Sequence, residues 1–321
     1  MSTASVTIHA SQFPDAVRRD LLASLRTRRV NHKFLYDSPR QTQKWLALHE
    51  AHSPARTDAD CLATYDRAFV ETAKKIGAKR VHLLGLGCGG GQKDTRLLVL
   101  LKKSGREIFY TPCDVSVAMT LVARQAALSV VHAENCFPFV CDLATAGNLS
   151  ALLVTRHSSL VTFFGMIPNF EPDKILPRLA ALVRKKDFLL FSANLAPGAD
   201  YAAGVKKILP QYDNALTRDW LMTFLLDLGV ERGDGELRFA IEDGAEKLKR
   251  IAAKFYFSRA RKFFVSGEEF KFKRGESIRL FFSYRCTPPL AGKILARHGL
   301  KIHAQWLTKS GEEGVFLCRR A

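Results

Sequence analysis

The sequence contains no apolar run that approaches the roughly twenty residues of a membrane-crossing helix. Its opening stretch, MSTASVTIHASQFPDAVRRD, lacks the charged-then-apolar layout of a secretory signal. Both absences lead to the expectation of a cytoplasmic protein without membrane contact. Paired cysteines are missing too. The seven cysteines are Cys61, Cys88, Cys113, Cys136, Cys141, Cys286 and Cys318; they are scattered, odd in number and never spaced as CxxC. That excludes a disulfide framework and a structural zinc site. His49 and His52 stand three apart with no third ligand nearby, so they read as polar surface residues and no metal is expected. Acidic residues are scarce: 31 against 49 lysines and arginines, a net charge of +18. The basic clusters at 18–33 and 247–274 carry no recognised nucleic-acid motif and no interleaved aromatic ladder. They read as a solvated basic surface, and nucleic acid is not the expected partner.

What is present describes an ordered enzyme-sized chain. Its 321 residues are 47% apolar and 25% charged, enough for a substantial core in one large or two moderate domains. Leucine and valine at helical spacing mark a helix over 14–30, and a second helical patch lies around Trp45–His49. A long helix follows, carrying Leu62, Tyr65, Phe69, Val70 and Ile76, with Asp58 or Asp60 as its cap. Strands and helices then alternate from RVHLLGLG to DFLLFSANLA, which predicts a parallel sheet covered on both faces. Residues 201–275 break that rhythm with a helical stretch over about 204–229 and then alternating strands, the pattern of a smaller α+β insertion. The end returns to order: a helix in PPLAGKILARHGL, then KIHAQWLT and GVFLCRR joined as a hairpin. The expected architecture is α/β, a doubly wound Rossmann-like sheet closed by an antiparallel C-terminal hairpin. The sheet domain is assigned 1–58, 77–198 and 287–321; the substrate-binding insertion is assigned 59–76 and 199–286.

The chemistry starts at LLGLGCGGGQKDTRLL, residues 83–98. Gly85, Gly87 and Gly90 satisfy GxGxxG after a strand and before a helix, a weak signal alone. A triphosphate loop would need glycine where Gln92 stands before Lys93. A dinucleotide site wants an acid at the end of the second strand, and Asp114 comes later than such a site usually places it. The third strand ends in a second acid, Asp142. All three features fall on the carboxyl edge, where open α/β sheets bind ligands. Asp114 is placed to accept from a ribose diol and Asp142 from an adenine amino group. An adenosine held without phosphate partners points to S-adenosylmethionine as cofactor, with Lys93 read as a partner for its carboxylate. The alternative is that both acids only cap the segments that follow. The fourth strand ends in FFGMIPNFEP, which lacks the Asn/Asp-Pro-Pro-Tyr/Phe of many amine methylases but offers Asn169.

These residues resemble the histidine-specific S-adenosylmethionine-dependent methyltransferase family, almost end to end. HKFLYDS resembles the family's Lys-x-Phe-Tyr-Asp segment, and SPARTDAD its Pro-Thr-Arg-Thr-Glu. The glycine loop, PCDVS, CDL, GMIPNFEP and QYDNA follow in the family's order. The resemblance implies a class I methyltransferase sheet. It implies cofactor contacts at Gly85, Gly87, Lys93, Asp114, Asp142 and the Leu143 backbone, and substrate contacts at Tyr36, Asn169, Tyr212 and Ser283. One departure stands out: the family's late strand carries Glu and Ser two apart, and here Phe281 replaces the glutamate while Ser283 remains. A pocket that loses its hydrogen bond to an imidazole loses that substrate. The loop is also longer by Gly89–Gly91, and the family's tyrosine near Ala51 and His52 is missing.

The expected function is therefore N-methylation of a small amino-acid-like amine other than histidine, by a monomer. In that scheme Asn169 and Tyr212 hold a carboxylate, and Tyr36 contacts the amine and helps remove its proton. Phe281, Ser283 and Arg279 or Arg285 would select the side chain, although surface charge is the simpler account of the arginines. A competing reaction uses the cofactor's aminocarboxypropyl group and leaves methylthioadenosine. A third reading is a basic, nucleic-acid-directed module on a retained cofactor fold.

Overall fold

The computed structural model describes residues 4–147, 149, 152–153 and 157–321. The chain opens with a two-residue strand, β1 (Thr7–Ile8), and a helix, α1 (Pro14–Thr27), begun by proline at its first position. Ser38 and Gln41 form a reciprocal capping box that starts α2 (Pro39–His52). After the short α3 (Pro54–Thr57), Asp58 accepts from Cys61 N at 2.6 Å and starts α4 (Ala59–Lys75). Then come β2 (Arg80–Leu86), α5 (Gln92–Lys103), β3 (Glu107–Asp114), α6 (Val117–Ala127) and β4 (Phe139–Val140). They are followed by β5 (Ser158–Phe163), α7 (Pro172–Leu182) and β6 (Phe188–Asn194).

The insertion holds α8 (Tyr201–Tyr212), α9 (Ala215–Asp227), β7 (Gly235–Asp243) and β8 (Lys249–Phe257). It continues with β9 (Arg261–Val265), β10 (Glu268–Phe272) and β11 (Ser277–Arg285). The chain closes with α10 (Pro288–Arg297), β12 (Leu300–Leu307) and β13 (Glu313–Arg320). The helix expected over 204–229 is two helices. Asp213 leaves helical geometry after Pro210, and Asn214 starts a new helix by accepting from Thr217 N at 2.9 Å.

Among the described residues one eight-stranded sheet runs in the order β1-β4-β3-β2-β5-β6-β13-β12. Its first six strands are parallel, and β13 lies antiparallel between β6 and β12. The C-terminal hairpin thus inserts its second strand beside the parallel block and leaves β12 at the edge. Alternation along β2 sends Leu84 and Leu86 to one face with α7 and α10, and Leu83 to the other with α4 and α5. The strand expected from CFPFVCDL survives only as β4, and β1 is an addition that no apolar run announced.

Two expected domain assignments change. Tyr65, Phe69 and Ala73 of α4 pack with Leu83, Leu190 and Val315, so residues 59–75 belong to the sheet and not to the insertion. Leu22, Leu25, Phe34, Leu35 and Tyr36 pack instead with Trp220, Phe224, Phe255 and Ile278, so the segment around α1 joins the insertion core. Backbone bonds fix that docking: Val30 N donates to Arg279 O at 2.9 Å, and Arg279 N donates to Arg28 O at 3.0 Å.

Burial on β2 also makes the fold acid-sensitive. His82 is fully buried, bonds Thr111 Oγ1 through Nε2 at 2.8 Å, and is held down to about 4 by desolvation. A lowered histidine keeps its contribution above its unfolded value near 6.5 and loses it as pH falls toward 4. The expected loss over that window is about 3 kcal/mol from this residue. Denaturant midpoints at pH 7.5 and pH 4.5 should separate widely, and His82→Gln should narrow the gap. An unchanged gap in the variant would remove His82 as the cause.

Candidate active site

The loop after β2 is shaped by its glycines. Gly87 has φ +54°, and a Cβ there would lie 2.7 Å from Met166 Cγ. Gly91 has φ +74° and starts α5, where a Cβ would lie 2.8 Å from the Ala123 backbone of α6. Gly89 donates its N–H to Asp114 Oδ2 at 3.0 Å. The added glycines therefore bring α5 against α6 and tie the loop to the second acid. Gly90, part of the GxGxxG match, has no positive φ and faces only the flexible Gln92 side chain.

Below the loop lies a cleft of about 530 Å³, counting the space that is open to solvent. Gly87, Gly89, Asp114, Asp142 and Leu143 line it from the sheet edge; Gly89 was not among the expected contacts, and Gly85, which was, does not line the cleft. Asp114 Oδ1 accepts from Ser116 N at 3.0 Å, opposite the Gly89 bond. Burial nonetheless raises its carboxyl pKa, against the lowering effect of those amides. Asp142 also caps its own turn, accepting from Ala144 N and Thr145 Oγ1 at 2.8 Å each. Its Oδ2 lies 3.7 Å from Lys33 Nζ, a buried ammonium that pairs with Asp20 at 2.6 Å. The capping role and the cleft position thus coexist in one residue.

Tyr36 lines the cleft. Burial and the charge of Asp114 push its phenol upward, so it stays protonated at neutral pH. In that state Tyr36 is a hydrogen-bond donor, and its titration lends no support to the expected part in proton removal. Lys93 is a correction. It does not line the cleft; its Nζ donates to Tyr65 OH at 2.9 Å and lies 4.3 Å from that ring's centre. Tyr65 in turn donates to Glu313, and burial lowers the lysine's pKa.

Asn169, Tyr212, Phe281 and Ser283 do not line this cleft; Phe281 and Ser283 stand on β11, and Tyr212 and Asn169 bond to that strand. A β-bulge between Arg279 and Phe281 resets the strand's alternation. Arg279 consequently lies over the Phe282 ring, 4.9 Å from its centre, and not with Phe281 and Ser283. Arg285 does share their neighbourhood, and it is buried, not surface charge. Its Nη2 donates to Tyr212 OH at 2.8 Å, and Tyr212 OH donates to Ser283 Oγ at 2.9 Å. Nη1 reaches the carbonyls of Leu195 and Glu312 at 3.2 and 3.4 Å. No carboxylate pairs with this guanidinium among the described residues. The relay Arg285–Tyr212–Ser283 leaves the serine O–H free to donate to a ligand oxygen. Asn169 Nδ2 is spent on Phe282 O at 2.8 Å, which ties the turn after β5 to β11.

Phe281 packs between rings, with centroids 5.8 Å from Trp220, 6.1 Å from His32 and 6.2 Å from Tyr212. No acid stands in that aromatic group. Nine cleft residues went unmarked as site residues, His32, Trp45, Met166 and Phe170 among them. Trp45 stacks on His49 at 4.8 Å and covers Gly89. His49 is therefore no plain surface residue; burial holds it down to about 3. The only signal for His32, Trp45, Met166 and Phe170 was their place in segments already quoted, HKFLYDS, the Trp45 helix and GMIPNFEP. Among the described residues no cluster has the makings of a metal site, and no helix is long and apolar enough to cross a membrane.

Comparison with known proteins completes the description. The pattern of the family described as "Histidine-specific methyltransferase, SAM-dependent" matches residues 17–320. The N-methyltransferase imqF of Aspergillus flavus is 24% identical over 279 residues, covering 83% of this chain and 73% of the relative. Among solved structures, the CcbJ methyltransferase of Streptomyces caelestis overlaps with a TM-score of 0.40 at 12% identity, covering 80% of this chain and 89% of that one. The 1,6-didemethyltoxoflavin-N1-methyltransferase of Burkholderia thailandensis overlaps with a TM-score of 0.44 at 12% identity, covering 87% of each chain.

Proposed function

The chain belongs to the histidine-specific, S-adenosylmethionine-dependent methyltransferase family, and from that premise we propose that it N-methylates a small amino-acid-like amine that is not histidine. The observation that carries this reading is the aromatic setting of Phe281. An imidazole N–H placed beside Phe281 would meet no carboxylate, and so lose the charge-assisted hydrogen bond, worth about 1.5–3 kcal/mol, that an acid there would give. The name of the imqF relative supports nitrogen as the methylated atom.

Residues at the cleft fit the cofactor. Asp114 would take the ribose hydroxyls, while Asp142 and the Leu143 backbone would take the adenine edge. Bound S-adenosylmethionine supplies an electrophilic methyl group on a sulfonium. The protein's share is positioning, because an in-line displacement needs an aligned lone pair above all. Ser283, at the end of its donor relay, would hold an acceptor oxygen such as a carboxylate, with Tyr212 behind it. Phe281 and Trp220 would enclose the apolar part of the molecule.

The test is product analysis. The protein is incubated with the cofactor and a panel of amino acids and related amines, and the by-product is identified by mass spectrometry. S-adenosylhomocysteine, formed with some amine but poorly with histidine, is the expected result. Methylthioadenosine alone would overturn methyl transfer in favour of aminocarboxypropyl chemistry.

A further inference from the structure

His32 is the one cleft-lining histidine, and its Nε2 is covered yet has no hydrogen-bond partner among the described residues. Its ring is held by three others, with centroids 4.9 Å from Tyr36, 6.0 Å from Phe170 and 6.1 Å from Phe281. A buried polar atom without a partner loses about 1–3 kcal/mol, so such an atom in a ligand cleft calls for a ligand atom. The ring also joins the two halves of the site: Tyr36 and Phe170 line the cofactor cleft, and Phe281 belongs to the β11 face that carries Ser283.

We propose that His32 Nε2 accepts an N–H from the acceptor amine, turning that nitrogen's lone pair toward the methyl group, and that the enzyme therefore stops at the tertiary amine. This deepens the proposed function and rests on it. The imidazole is neutral because desolvation holds it down to about 3, which leaves Nε2 able to accept when Nδ1 carries the proton. In each transfer an N–C bond forms as the methyl–sulfur bond breaks. The sulfur keeps the electron pair as a neutral thioether, and the resulting ammonium loses one proton to solvent. A primary amine enters with two N–H bonds and leaves with one. The secondary amine still offers one to His32. The neutral tertiary amine offers none, so a third transfer, to a quaternary ammonium, lacks the orienting contact.

The test uses the 321-residue chain with a primary amine that the wild type turns over, together with its mono- and dimethylated forms. Methylated products are resolved by mass spectrometry. The wild type is expected to accumulate the dimethylated product without quaternary product. His32→Phe keeps a ring in the aromatic box and removes the acceptor. It should lower kcat/KM for the primary amine by roughly tenfold or more, the usual penalty for one lost directional hydrogen bond. His32→Gln, whose side-chain oxygen can accept, should recover part of that loss. Far-UV circular dichroism and the thermal unfolding midpoint should stay close to those of the wild type in both variants, which shows that they fold. Quaternary product formed by the wild type as fast as the first methylation overturns the inference, and so does His32→Phe at wild-type kcat/KM. Both results leave methyl transfer standing. Failure of the wild type to form S-adenosylhomocysteine with every amine brings down the proposed function and this inference together.

Discussion

Asp114→Ala is expected to weaken S-adenosylhomocysteine binding by about a hundredfold or more, the largest effect of any single change at the sheet edge. Two losses combine. In the proposed binding mode the carboxylate takes the ribose diol. It is also the clamp between the glycine loop and the start of α6, through Gly89 N and Ser116 N at 3.0 Å each. Hydrogen bonds to a charged group are worth about 1.5–3 kcal/mol each, so the clamp alone is a large share of the effect. Asp114→Asn separates the two contributions. It keeps the side chain's size and one acceptor oxygen, so the loop should stay closed while the charge-assisted bonds weaken. Its affinity should fall between wild type and Asp114→Ala. Calorimetric titration measures all three proteins, with circular dichroism to confirm folding. Equal affinity in wild type and Asp114→Ala would show that the ligand does not use this acid.

The contrast between Asp114 and Lys93 shows how far the sequence could be read. An acid at the end of a strand that follows a glycine loop has one place to go, because strand order and the carboxyl edge are set by local pattern. Asp114, Asp142 and Leu143 accordingly fall where their strands put them. Lys93 has a long flexible stem, and its head group went to the nearest buried oxygen, Tyr65 OH. Nothing in QKDTRLL states that α4 lies within reach. The same limit hid the docking of α1 on the insertion core and of α4 on the sheet. Both helices are amphipathic, and an amphipathic face does not name its partner. The bulge in β11 defeated simple alternation at Arg279, since one inserted residue changes the face of everything before it. His32 was invisible for another reason: its importance is an unpaired atom, which only coordinates can show.

Phe281→Glu is the sharpest test of substrate choice, because it restores the acid that the family places two residues before Ser283. The wild type should turn over histidine at least about a hundredfold less efficiently than its own acceptor, as expected where a site offers rings to a group that needs a hydrogen bond. The introduced carboxylate would share a strand face with Ser283 and lie within the ring cluster of His32, Trp220 and Tyr212. It could accept from an imidazole N–H there, and kcat/KM for histidine should rise by about tenfold to a hundredfold. The natural acceptor should lose activity by a similar factor, since its apolar part would meet a charge. The substitution also has a structural cost. A carboxylate buried among aromatic rings is poorly solvated, and a loss of about 2–4 kcal/mol in unfolding free energy is expected without ligand. Histidine should recover part of that stability by pairing with the acid, so thermal shifts with and without histidine give a readout independent of turnover. If the wild type already methylates histidine efficiently, Phe281 is not the selecting residue. If Phe281→Glu binds histidine without turning it over, the ring face chooses the side chain, and alignment of the amine is set elsewhere, at His32 and Tyr36.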